Sequence, residues 1–127
     1  MPVNRSNRVL IAEEDKCVAD LLSLSLRELG CQVKITCQQN EIREGVIRWK
    51  PDMLLLDLIL PGCSGLDLLR EFHQLGNRLG RPFPILVVSA LGFREVVQQA
   101  KALGAVDFIL KPIDLDNFRQ KVLMYLP

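Results

Sequence analysis

The segment MLLLDLILPGCSG, residues 53–65, constrains the fold of this chain more than any other segment. Its first four residues are all apolar, so a strand formed by them would have no side suited to water. This pattern is typical of a sheet that is covered on both faces, whereas a strand with one wet face alternates apolar and polar residues. PILVVSA, residues 84–90, has the same pattern. These two segments predict the middle strands of a parallel sheet that lies between two layers of helices.

Short apolar runs alternate with amphipathic segments five times along the chain. The runs that predict strands are RVLIA (8–12), CQVKIT (31–36), MLLL (53–56), PILVVSA (84–90) and DFILK (107–111). This alternation favours an α/β fold with a doubly wound, flavodoxin-like five-stranded parallel sheet in the order 2-1-3-4-5, forming a single domain over residues 1–127. CQVKIT alternates apolar and polar residues, which suits the edge strand that this order makes of it.

The amphipathic segments predict five helices. They are CVADLLSLSLRELG (17–30), a segment capped by Asn40, GLDLLREFHQL (65–75), FREVVQQAKALG (93–104) and DLDNFRQKVLMYL (114–126). Helical spacing predicts that the first helix buries five side chains. These are Val18, Leu21, Leu22, Leu26 and Leu29.

Composition excludes several classes of function. Sixteen basic residues face fifteen acidic ones, for a net charge of +1, so no basic surface for direct nucleic-acid binding is expected. The four cysteines lack the C-x-x-C spacing of a zinc site. No apolar run approaches the roughly 18 residues of a membrane span. We therefore expect a cytoplasmic protein with reduced thiols that does not enter a membrane.

Polar residues stand where four of the predicted strands end. Glu13 and Glu14 follow the first strand, Asp57 the third, Ser89 ends the fourth and Lys111 the fifth. The carboxyl ends of parallel strands form one rim of the sheet, where ligands bind. Burying an isolated carboxylate costs several kcal/mol, so we expect Asp57 both to reach the surface and to have a cationic partner.

These residue types suit phosphoryl transfer to a carboxylate. Mg²⁺ binds to carboxylates, a backbone carbonyl and waters, while a lysine and a hydroxyl can neutralise the charge of the phosphoryl oxygens. Each residue alone has an ordinary structural explanation, because a lone Asp or Ser at a strand end is usually a cap or a turn-former, and Lys111 before Pro112 is usually a surface residue. The coincidence of all of them on one rim favours chemistry.

The chain resembles the receiver domain of two-component response regulators from Val9 to about Leu126. The matching segments are VLIAEED, LLLDLILPGCSG, ILVVSA and GAVDFILKP, in the family's order and spacing. The resemblance implies that Asp57 accepts a phosphoryl group from a sensor histidine kinase or a phosphotransfer protein. The domain would catalyse its own phosphorylation and dephosphorylation without being an enzyme in the ordinary sense.

The resemblance also assigns the other site residues. Glu13, Glu14, Asp57 and the backbone carbonyl of Ile59 would bind Mg²⁺. Ser89, Ala90 and Lys111 would surround the phosphoryl group, Phe108 would be the switch aromatic that moves inward, and the Lys111–Pro112 peptide bond would be cis. The surface formed by the fourth helix, fifth strand and fifth helix would bind an output domain or a target protein, or form a homodimer.

Alternatives remain because the second acid of the family's pair is usually Asp, and here it is Glu14, which is one methylene longer. Glu14 could bind the metal directly or through water. If neither holds, the chain would be a protein-interaction module that works without phosphorylation. An enzyme on the same fold is disfavoured, since a hydrolase of the haloacid dehalogenase type would have Asp in place of Ile59, and the acidic EEDK segment would repel the phosphate of a flavin.

Overall fold

A computed structural model of the chain describes residues 6–127, and it contains the predicted five-stranded parallel sheet. The strands are β1 (Arg8–Ala12), β2 (Gln32–Thr36), β3 (Met53–Leu56), β4 (Ile85–Ser89) and β5 (Asp107–Leu110). Their order in the sheet is β2-β1-β3-β4-β5, and every neighbouring pair is parallel. The predicted fold class and strand order are confirmed, and CQVKIT does form an edge strand.

Helices connect the strands. They are α1 (Lys16–Glu28), α2 (Gln39–Glu44), α3 (Gly65–Arg78), α4 (Arg94–Ala102) and α5 (Leu115–Tyr125), and α2 continues as a π-helical turn over Gly45–Trp49. Within residues 6–127 no helix is long and apolar enough to cross a membrane. All four cysteines are free thiols.

Two predicted details of the helices are wrong. Asn40 does not cap α2, because the helix begins at Gln39 and its N-cap is Gln38. Leu21 lies on the outer side of α1 with 39 % of its surface exposed. Helical spacing places it close to the buried side of the helix, but it lies just outside that side, which carries Leu22 and Leu26 in the core.

The hydrophobic core has two parts, one on each face of the sheet. In β3, Leu54 and Leu56 pack against side chains of α2, α3 and α4, while Met53 and Leu55 pack against α1 and α5. All four are at most 1 % exposed. Burial of such a side chain stabilises the fold by about 1.5–3 kcal/mol, so successive residues of β3 fix helices on opposite faces of the sheet.

A close backbone contact fixes the segment that follows β3. In this segment Ile59–Leu60 pairs with Cys63–Ser64 as a short antiparallel ribbon. The amide of Gly65 then donates to the carbonyl oxygen of Leu58 at 3.1 Å, and a Cβ at position 65 would lie 2.2 Å from the Leu58 Cα. Only glycine allows this approach, so α3 begins directly against the backbone beside Asp57.

We predict that Gly65→Ala destabilises the protein by about 1–3 kcal/mol, because the added methyl group must displace backbone rather than a flexible side chain. The free energy of unfolding in urea, followed by circular dichroism, measures this change. Gly45→Ala is the matched control, since Gly45 has helical φ of −60° and its Cβ would meet only the end of the Leu10 side chain, at 3.0 Å. Equal stability of Gly65→Ala and the wild type would contradict the close contact.

Candidate functional site

The candidate site lies at the rim formed by the carboxyl ends of β1, β3, β4 and β5. Because these four strands are neighbours in the sheet, their last residues converge. Glu13, Asp57 and Lys111 come together there, with the lysine side chain in contact with both acids. Ser89 ends β4 beside them and is fully buried.

Lys111 is the centre of this group. Its Nζ donates to Oε1 of Glu13 and to Oδ2 of Asp57, at 2.7 Å in both cases. Its amide donates to the Ser89 carbonyl at 3.0 Å, which holds its backbone beside the end of β4. The Lys111–Pro112 peptide bond is cis, the conformation that the resemblance implies. The side chain is 17 % exposed, so both hydrogen bonds of the amine are largely shielded from water and from screening by salt.

Asp57 is held by backbone groups as well as by the lysine. Its amide donates to the Ala12 carbonyl at 3.0 Å, and its Oδ1 accepts from the Ile59 amide at 3.0 Å. The expected cationic partner is confirmed, but the expected exposure is wrong, because Asp57 is only 5 % exposed. The Ile59 amide and the lysine cover the two oxygens. The resemblance implies a role for the Ile59 carbonyl but not for its amide. The spacing could have indicated it, because an Asp side chain commonly accepts from the backbone amide two residues further on.

Glu13 is the electrostatically strained member of the group. It is 4 % exposed, and burial together with the nearby Asp57 raises its pKa to about 7, although the hydrogen bond from Lys111 acts in the opposite direction. For Lys111, burial lowers the pKa, but the hydrogen bonds to Asp57 and Glu13 outweigh it, and the pKa is raised. Two carboxylates therefore share one ammonium group, and an additional cation would relieve the excess negative charge.

The other two acids after β1 form no ion pair with Lys111 in the part of the chain that the structure describes. Glu14 is exposed. Asp15 caps α1, because its Oδ1 accepts from the amides of Cys17 at 2.9 Å and Val18 at 3.2 Å. Across residues 6–127 no three His, Cys, Asp or Glu side chains form a cluster that could hold a metal ion.

The remaining predicted site residues lie around the group; Ile59 and Ser89 bond to it through their backbone, and within residues 6–127 no side chain of these residues does. The Ser89 Oγ accepts from the Leu91 amide at 3.3 Å, Ala90 is exposed, and Ile59 is 49 % exposed. Phe108 is 8 % exposed and belongs to the core on the α2, α3 and α4 side, so its ring already lies inward. Its carbonyl accepts from Nζ of Lys121, on α5, at 3.0 Å.

Comparisons with known proteins are consistent with this geometry. Residues 9–123 match the sequence model of the response regulator receiver domain. Sporulation initiation phosphotransferase F of Bacillus subtilis is 26 % identical over 122 residues, which cover 96 % of this chain and 95 % of that protein. The transcriptional regulatory protein QseB of Escherichia coli O157:H7 is 32 % identical over 85 % of this chain, but the chain spans only 48 % of its length.

A solved structure gives the same result. The BeF3-activated N-terminal receiver domain of Klebsiella pneumoniae RstA is 26 % identical, with a TM-score of 0.83 over 94 % of this chain and 97 % of that one. This chain thus covers nearly the full length of one curated relative and about half of another.

We predict that Lys111→Met destabilises the metal-free protein more at high pH than at low pH. Folding raises the pKa of Glu13 from 4.5 to about 7. Glu13 therefore stabilises the folded state fully below pH 4.5, and this contribution is lost as the pH rises through about 7. Without Lys111 the ionised carboxylates have no cationic partner, so the cost should be about 3–5 kcal/mol near pH 8.5. It should be clearly smaller near pH 5, where Glu13 is protonated.

Urea unfolding with a chelator present, at both pH values, measures the difference. The control is Lys101→Met, which removes an exposed lysine near the end of α4 and should cost little at either pH. A Lys111→Met cost that is independent of pH would show that the amine does not compensate the two buried acids.

Proposed function

The chain belongs to the response regulator receiver domain family of two-component signal transduction, and from that premise we propose that Asp57 is its phosphoacceptor. The donor would be the phosphohistidine of a sensor histidine kinase or of a phosphotransfer protein in the cytoplasm. The observation that carries the proposal is the Lys111 amine, which lies 2.7 Å from both Asp57 and Glu13. A partly exposed lysine held between two buried acids at a strand-end rim suits stabilisation of an incoming phosphoryl group.

In this proposal an Asp57 carboxylate oxygen forms a bond to phosphorus while the N–P bond of the donor breaks, and the imidazole nitrogen keeps the electron pair. Lys111 stays close to the carboxylate and neutralises the added charge. The Ser89 hydroxyl, which now accepts from the Leu91 amide, can rotate to donate to a phosphoryl oxygen. Ala90 is small and exposed, so it leaves room for the group.

The donor set fits Mg²⁺, which commonly keeps several waters and takes one or two protein carboxylates together with phosphate oxygens. Glu13 and Asp57 would supply the carboxylates and Ile59 its backbone carbonyl, while Glu14 would bind directly or through water. When bound, Mg²⁺ supplies positive charge that balances the two acids and the phosphoryl oxygens. The raised pKa of Glu13 supports a site that favours an additional cation.

We further propose that the surface of α4, β5 and α5 reports the phosphorylation state to an output domain or target protein. Strand β5 connects this surface to the site, because Leu110 pairs with Ser89 of β4 and the Phe108 carbonyl accepts from Nζ of Lys121 on α5. The surface exposes large apolar side chains, with Phe93 68 % and Leu110 53 % exposed. Rotation of Ser89 toward a phosphoryl group would disturb the end of β5, which pairs with it, and so change how Phe108 and this surface pack.

A second candidate function is a protein-interaction module that works without phosphorylation. The exposure of Glu14 favours it, because Glu14 does not belong to the buried pair of acids, Glu13 and Asp57, that a metal ion would join. The two candidates differ in one measurable property, which is covalent modification of Asp57.

We predict that acetyl phosphate, a small phosphoryl donor, labels the protein at Asp57 in the presence of Mg²⁺. Intact-mass spectrometry should show the addition of one phosphoryl group, which a chelator prevents. Asp57→Asn should remove the labelling, whereas Asp67→Asn, which changes an exposed acid in the first turn of α3, should not. A folded wild-type protein that stays unlabelled would exclude the phosphoacceptor role and favour the interaction module.

We also predict that the length of the side chain at position 14 controls the rate of labelling. Glu14→Asp should accelerate it at a fixed subsaturating Mg²⁺ concentration, because the shorter carboxylate meets the strict octahedral geometry of Mg²⁺ with less movement of the loop. Glu14→Gln should slow it. If all three proteins react at one rate, residue 14 does not assist the metal.

A further inference from the structure

The outer side of α1 carries apolar side chains that nothing in the chain covers within residues 6–127. Leu24 is 59 % and Leu21 39 % exposed, and Leu123 on the adjacent α5 is 60 % exposed. Arg119 of α5 joins the two helices, with bonds to Ser25 Oγ at 2.9 Å and Glu28 Oε2 at 2.7 Å. The exposed leucines thus lie on a braced helix pair, which gives a fixed surface.

Two charged residues flank Leu24 on the same side of α1. Asp20 and Arg27 are seven residues apart, so they project in nearly the same direction and lie about 10 Å apart along the helix axis. In the part of the chain that the structure describes, neither forms an ion pair. Within residues 6–127, the Arg27 side chain bonds through its Nε alone, which donates to Ser23 Oγ at 3.1 Å. We call Asp20, Leu24 and Arg27 the α1 stripe.

The α1 stripe is complementary to itself when it is reversed. It has an acid at one end, an apolar residue in the middle and a base at the other end. If two such stripes meet antiparallel about a two-fold axis close to Leu24, each Asp20 faces the Arg27 of the other copy, and the leucines meet at the centre. This is the requirement for an isologous contact, in which residue i touches j and j touches i.

We propose that the α1 stripe is a contact between two copies of this chain. The surface differs from the α4, β5 and α5 surface assigned above to output, and the proposal does not depend on phosphorylation. The α1 stripe is a short strip of one helix, so we expect the contact to bury less than the roughly 800 Å² per partner of a stable complex. Self-association is therefore weak and rises with protein concentration.

Charge reversal tests the geometry of the contact. Asp20→Lys alone would place two basic side chains against each other across the interface, and Arg27→Glu alone would place two acids together. Each variant should therefore remain monomeric in sedimentation velocity at concentrations where the wild type associates. A mixture of the two variants allows a heterodimer in which both pairs of facing side chains have opposite charge.

The double variant Asp20→Lys/Arg27→Glu restores both ion pairs with their signs exchanged, so it should recover self-association to the level of the wild type. In the mixture, the position 20 lysine of one variant faces the position 27 glutamate of the other, and the unchanged Asp20 and Arg27 face each other as before. We expect the mixture to associate at least as strongly as the wild type.

Apolar variants test which surface is used. Leu24→Glu should abolish association, while Leu110→Glu, at a comparably exposed leucine on β5, should leave it unchanged. Thermal unfolding of each variant verifies that the fold is intact. A wild type that is monomeric at every concentration, a mixture that associates no better than its components, or loss of association in Leu110→Glu but not in Leu24→Glu would overturn the proposal.

Discussion

The amine of Lys111 between two buried carboxylates is the interaction on which the rest of the site depends. Glu13 is 4 % and Asp57 5 % exposed, and unpaired charges in that position would cost several kcal/mol each. The single positive charge of Lys111 offsets part of this cost but cannot neutralise two carboxylates. The excess negative charge is reflected in the raised pKa of Glu13. The site is thus stable in the folded protein and still carries excess negative charge that a further cation would neutralise.

The sheet order brings these three residues together, and this much could be predicted from the sequence. Consecutive apolar residues in β3 and β4 specify strands covered on both faces, and alternation with helices specifies parallel strands. Parallel strands in the order 2-1-3-4-5 then place the ends of β1, β3 and β5 on one rim. The nearness of the carboxylates and the lysine follows from topology alone, before any side-chain conformation is known.

The sequence could not specify features that depend on neighbours in three dimensions. Whether Asp57 is exposed depends on how closely Lys111 and the Ile59 amide cover it. The position of Phe108 and the rotamer of Ser89 depend on packing between β4, β5 and the helices on the α2, α3 and α4 side of the sheet. Leu21 lies near the edge of the predicted buried stripe, where a small rotation of the helix decides between core and water.

The backbone contact between Leu58 and Gly65 limits which mutations the segment between them can accept. Both ends of the intervening ribbon are fixed, one by β3 and the other by the backbone contact at the start of α3. Substitutions at exposed ribbon positions such as Ile59, which is 49 % exposed, alter only its surface chemistry, whereas Leu60 is 6 % exposed and part of the core. An insertion or deletion in the ribbon would shift α3 and Asp57 together, so the exposed positions can diversify while the length stays constant.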